Sequence, residues 1–127
     1  MIEHFSPDTV SAPQAAYSHG ALVTAGSDLL FVAGQLGISP AGVLGRNFTE
    51  QAEWAFRNVL NVLAAKGMGA ANLVRIQMFL TDIDNRGPLQ SVQKAALGDV
   101  KPVSTLLVVK SLARPEFLFE IEAVAAR

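Results

Sequence analysis

Residues 102–125 read PVSTLLVVKSLARPEFLFEIEAVA, and the alternation within this stretch decides the fold. Thr105–Val109 is a short apolar run rich in β-branched residues, and Phe117–Ala125 is a second run beyond the turn-like Ser111–Glu116. The pattern predicts a β-hairpin. In the second run, the two-residue period of a strand puts Phe117, Phe119, Ile121 and Ala123 on one face, and Leu118, Glu120, Glu122 and Val124 on the other. Two carboxylates therefore share a face, roughly 7 Å apart by strand rise. Spacing alone reads them as the solvated side of an edge strand, where charge discourages strand addition.

Working upstream, Leu73–Leu80 alternates Val74, Ile76, Met78 and Leu80 against Arg75, Gln77 and Phe79, which predicts another strand. Between these strands, Asp82–Pro88 carries helix-start signals, and Leu89, Val92 and Ala96 form a narrow apolar face that ends at Gly98. An earlier helix is marked by Asn47 or Thr49 as its cap, by Glu50 three residues after Asn47 as in a capping box, and by a stripe of Ala52, Ala55, Phe56, Val59, Val62 and Leu63. Gly67 stops it, and Lys66 suits the negative end of the helix dipole. The same Asn47-Phe48-Thr49 matches a glycosylation sequon, but the cap explains it better in a chain without a secretory signal. Trp54 reads as a packing residue.

Nearer the N-terminus, Tyr17–Thr24 and the apolar Leu29–Ala33 flank Ala25-Gly26-Ser27-Asp28 and predict a second hairpin, its second strand buried on both faces and ended by Gly34. Residues 35–46, with Gly37, Pro40, Gly42 and Gly45, are a loop, and residues 1–16 an irregular arm able to pair briefly with a sheet edge. The glycines fit neither GxGxxG nor GxxxxGK[ST], which weighs against a nucleotide site of those types. The expected order is ββαβαββ: an α+β fold with helices on one face of a largely antiparallel sheet, whose other face needs a cover.

At 127 residues the chain is expected to form one domain over residues 1–127, with one core. Half the residues are hydrophobic and mean hydropathy is +0.33. No apolar run approaches the roughly 20 residues that span a bilayer, so a soluble protein with no membrane partner is expected. The N-terminus has no secretory pattern and there are no cysteines, which points to the cytosol and removes thiol nucleophiles and thiolate metal ligands. His4 and His19 are not spaced as a ligand pair, so no metal is expected. Ten basic and 11 acidic residues leave a net charge of −1, and the basic ones are scattered singly, without the stripe that nucleic acid requires. An apolar content this high in a small chain predicts a homo-oligomer, since monomers rarely expose large apolar patches.

Several segments together resemble the RidA family, also called YjgF or L-PSP: Tyr17, FVAGQLG at Phe31–Gly37, NVLNVLAAKG at Asn58–Gly67, VRIQMFLTDIDN at Val74–Asn85 and FEIEAVA at Phe119–Ala125. The resemblance implies a chorismate-mutase-like homotrimer whose sheets line a central barrel, with helices outside and clefts between subunits. In the best-studied branch those clefts hydrolyse enamines and imines, releasing ammonia and a 2-oxo acid, with no cofactor or metal. Carried over by position, Glu120 is the catalytic residue that holds the hydrolytic water, and Tyr17, Ala33, Gly34, Gln90, Ser104 and Leu106 line the cleft around the small-molecule substrate. Gln90 stands where the family usually has asparagine.

Ser104 is the main departure, because in the deaminase branch that position is an arginine that grips the substrate carboxylate. Losing a hydrogen bond to a charged group costs on the order of 1.5–3 kcal/mol. With Glu120 retained, this predicts a tilt toward neutral or cationic ligands. Arg75 and Arg114 are replacement candidates, though exposed arginine is the norm. Ser104 has no His–Asp partner in view, so it is not a nucleophile. A non-catalytic metabolite-binding trimer is the alternative reading. The ribonuclease activity attached to some relatives is third, since RNA binding calls for clustered cations or exposed aromatics.

Overall fold

In the computed structural model, which describes residues 1–127, the elements run β1 (Ile2–Phe5), β2 (Gly20–Val23), β3 (Leu29–Leu36), α1 (Phe48–Ala64), β4 (Leu73–Leu80), α2 (Arg86–Leu97), β5 (Val103–Val108) and β6 (Phe119–Ala126). Short 3-10 turns at Ala70–Asn72 and Ile83–Asn85 precede β4 and α2. The expected order is present with one added strand, because the N-terminal arm contains β1, which pairs antiparallel with β2. The main sheet has the order β3-β6-β4-β5.

Neither expected hairpin forms. β5 runs parallel beside β4, while β6 lies on β4's other edge and is antiparallel to both β3 and β4. The reason is connectivity: β4, α2 and β5 make a β-α-β crossover, which yields parallel neighbours. The ten-residue link from Val109 to Leu118 is too long for a tight turn and carries the chain past β4. At the other end, the turn around Gly26 (φ +85°) transfers the chain from the β1–β2 ribbon to the main sheet. There, reciprocal backbone hydrogen bonds between Asp28 and Arg127 (2.8 and 3.0 Å) pin the start of β3 to the end of β6. β3 also runs through Gly34, as a bulge between Val32 and Gln35, and is not buried on both faces: Leu29 and Phe31 are 53% and 73% exposed.

The alternation in β4 and β6 determines where the core sits. Ile76, Met78, Leu80, Phe119, Ile121, Ala123 and Ala125 are all buried on one side of the sheet, against Ala52, Ala55, Phe56, Val59 and Leu63 of α1 and Leu89, Val92 and Leu97 of α2. A register shift between Leu73 and Arg75 explains why Leu73, not Val74, is buried at the start of β4. Phe119 is fully buried, edge-on to Phe48 (5.8 Å between centroids) and stacked on Phe56 (5.9 Å). Burying each such large apolar side chain stabilises the fold by about 1.5–3 kcal/mol before entropy is counted.

Helix α1 starts where expected. The Asn47 side chain accepts from the Glu50 N–H (3.0 Å), but the reciprocal half of a capping box is absent because the Glu50 carboxylate is held by Arg46 (2.8 Å). Gly67, at φ +71°, follows the last turn. Trp54 is half-buried with the Arg57 guanidinium 4.7 Å from its ring. The buried Gln51 ties loops together: its amide donates to the carbonyls of Gly45 and Glu116 and accepts from the Leu118 N–H, which leads the chain into β6. No helix is long and apolar enough to cross a membrane.

Candidate functional site

The residues singled out in the sequence fall into two groups on opposite faces of the main sheet. The first group lines one cavity of about 650 Å³ between α2, β5 and the arm before β2. Register decides which β5 side chains reach it. Ser104 pairs with Ile76 and Leu106 with Met78, so both point to the helix side, and both line the cavity with Tyr17 and Gln90. Tyr17 is half-buried, edge-on to His19 at 5.6 Å, and its hydroxyl accepts from the Gln14 N–H (3.4 Å). Gln93 donates to the Ala16 carbonyl (3.2 Å), tying the arm to α2 across the cavity.

The second group sits on the face without helices. Since Phe119 and Ile121 are buried under α1, Glu120 must project from the opposite side, alongside Glu122. Both are half-buried, and neither joins any of the three ion pairs. Across the register, Glu120 lies opposite Leu36 of β3 and Phe79 of β4, and Glu122 opposite Gln77. The Glu120 carboxylate lies directly over Gly34, where a Cβ would collide with its Oε2. Only glycine lets the acid lie against the β3 bulge that Ala33 and Gly34 form. Within one chain, then, the sheet itself separates Glu120 from Ser104.

Neither arginine considered as a substitute for the missing one reaches the cavity. Arg75 projects from the bare face, as Glu120 does, and donates to Gln77 Oε1 (2.7 Å). Arg114 lies 6.0 Å from the Phe117 ring. The cavity holds instead two cations that sequence reading missed, Arg86 and Lys94. With Gln90 and Gln93 they form a stripe at helical spacing along α2, a signal present in the sequence but without meaning until the helix is placed. Lys94 is engaged by Asp99 (2.7 Å), and that hydrogen bond, reinforced by the lysine's charge, holds the Asp99 carboxyl below its ordinary range.

A protein-family profile described as Endoribonuclease L-PSP matches residues 9–127. Protein HMF1 of Saccharomyces cerevisiae is 32% identical over 119 residues, 91% of this chain and 89% of the yeast protein. A Rattus norvegicus protein named 2-iminobutanoate/2-iminopropanoate deaminase is 29% identical over 123 residues, 94% of this chain and 87% of its own. Among solved structures, the Rid-family protein YyfB of Yersinia pestis superimposes with a TM-score of 0.88 at 26% identity, covering 99% of this chain and 98% of that one. The two-helix α+β architecture matches that of Rid-family structures.

Proposed function

As the chain belongs to the RidA/YjgF/L-PSP family, we propose that it hydrolyses a small enamine, imine or related C=N metabolite in clefts between the subunits of a homotrimer. The observation that carries this reading is the Glu120 carboxylate lying over Gly34, on the face opposite the Ser104 cavity. A cleft that contains both groups requires two copies of the chain, one offering its bare sheet face and the other its α2–β5 cavity. Leu29, Phe31 and Leu107, exposed in the single chain, supply apolar area for such a contact. In the trimer the bare faces line a central barrel, and the helices lie outside.

In the proposed reaction, the imine nitrogen takes up a proton from solvent, and Glu120 accepts a proton from water as the oxygen adds to the C=N carbon. Glu120 then returns its proton to the amine of the tetrahedral adduct. The C–N bond breaks as the adduct's hydroxyl gives its proton to the Glu120 carboxylate, which passes it to solvent, and ammonia and a carbonyl compound leave. The name of the rat relative supports this chemistry. Ser104 in place of the family arginine changes which substrates are held. The nuclease activity in the family profile's description is not favoured, because the cations are scattered and the net charge is −1.

The test is ammonia release from imino acids generated in situ by an amino-acid oxidase, with wild type, Glu120→Gln and Ser104→Arg. Wild type should accelerate release, and Glu120→Gln should lose about 10²–10⁴ of that acceleration. An unchanged Glu120→Gln rate rules out the role given to this acid, and a wild type no faster than spontaneous hydrolysis across the series rules out the deaminase reading.

A further inference from the structure

We infer that Arg86 selects the ligand class of the α2–β5 cavity by holding the carboxylate of a 2-imino or 2-oxo acid with an apolar side chain. The cavity's lining includes Arg86 and Lys94 but no aspartate or glutamate. A site of that composition attracts anions. Lys94 is already paired with Asp99, whereas Arg86 joins none of the three ion pairs, so its planar fork of donors is free for a carboxylate.

The position of Arg86 argues further against a purely structural role. It opens α2, whose cap residue Asn85 makes no side-chain hydrogen bond and whose first turn contains no acid. A cation there opposes the helix dipole and weakens the helix. With an anion bound, the same arrangement becomes favourable, because the guanidinium is then paired. Much of the remaining wall, including Met78, Leu89, Leu97, Val100 and Leu106, is apolar. About 650 Å³ is ample for a side chain longer than that of a three- or four-carbon acid.

Replacing arginine by Ser104 therefore moves the positive charge from β5 to the facing helix without removing it. The preference for neutral or cationic ligands expected from Ser104 alone gives way to a preference for acids with bulkier apolar side chains. For its chemical step the inference rests on the proposed deaminase reading, but carboxylate binding is measurable without turnover.

The experiment is calorimetric titration of the full chain with 2-oxohexanoate, a stable product analogue, and with hexan-2-one, which lacks the carboxylate. The acid should bind wild type more tightly than the ketone does. Arg86→Gln should weaken the acid by about ten- to a hundredfold and leave the ketone unchanged, and Arg86→Lys should recover part of the loss. In turnover of the imino acid made from norleucine, Arg86→Gln should raise KM with kcat nearly intact, as expected for uniform binding. Acid binding that ignores Arg86→Gln, ketone binding as tight as acid binding, or equal loss of both ligands would overturn the inference. Arg86-dependent acid binding without ammonia release would sustain it while removing the deaminase reading.

Discussion

The two faces of the main sheet share strands but not rules. On the helix side, Ile76, Met78, Leu80, Phe119, Ile121, Ala123 and Ala125 form an unbroken apolar layer, no residue of which is more than 5% exposed. On the other side, Arg75, Gln77, Glu120 and Glu122 alternate with Phe79 and Val124, all half-buried, beside the exposed Leu29 and Phe31. The first surface is complete within one chain. The second mixes exposed apolar side chains with charged ones and is too charged to be a core. Its composition suits a contact between copies in which polar groups are left to face a ligand.

The sharpest way to break this contrast is to cut into the complete face. Phe119→Ala removes a ring clamped between Phe48 and Phe56, and should cost about 3–5 kcal/mol in urea unfolding. A loss below about 1 kcal/mol would mean that the layer is less tightly packed than its burial indicates.

Phe31→Asp addresses the other face. It should leave the single chain's core intact, since Phe31 is exposed there, while lowering the mass measured by sedimentation from that of an oligomer to that of a monomer. An unchanged mass would show that this face is not the subunit contact.

The smallest effect is expected at the exposed ion pair Lys94–Asp99, on the helix side but outside the apolar layer. The Asp99 carboxyl is held below its ordinary range by the Lys94 hydrogen bond first and by its charge second. Its contribution is therefore present above the ordinary carboxylate pKa and is lost as the pH falls through the lowered value. Asp99→Asn should differ from wild type by no more than an ordinary surface substitution at neutral pH, and the difference should vanish on acidification. A difference that grows on acidification would show the sign to be wrong.

Local features of the fold were legible because they are written in local periodicities. The span of α1 from its Asn47 cap to Gly67, the inward side of β4 and the two-sided character of β6 all follow from spacings of two, three and four residues. Strand partners were not legible in the same way. Proximity in sequence suggested that β5 pairs with β6 and β2 with β3, but β4 lies between the first two, and the second two lie in different sheets. Pairing depends on surfaces formed by residues tens of positions apart, which no local pattern encodes.

The candidate site divides in the same manner. Tyr17, Gln90, Ser104 and Leu106 were suggested by resemblance, and the fold brings them to one cavity, while Glu120 and Gly34 meet on the opposite face. Arg86 was passed over because an arginine at the start of a helix is unremarkable until α2 is laid beside β5.

By itself, the sequence determined the apolar stripes of the two helices, the inward sides of most of β4 and of β6, and where α1 begins and ends. Those properties depend on side chains only a few residues apart and on the fixed repeat of the backbone. Tertiary structure alone decided that β6 sits between β3 and β4, that Glu120 and Ser104 are separated by the sheet, and that Arg86 rather than Arg75 or Arg114 faces the cavity. These outcomes depend on how distant apolar faces are buried together, because a long link such as Val109–Leu118 costs little more entropy than a short one and leaves the strand order to packing.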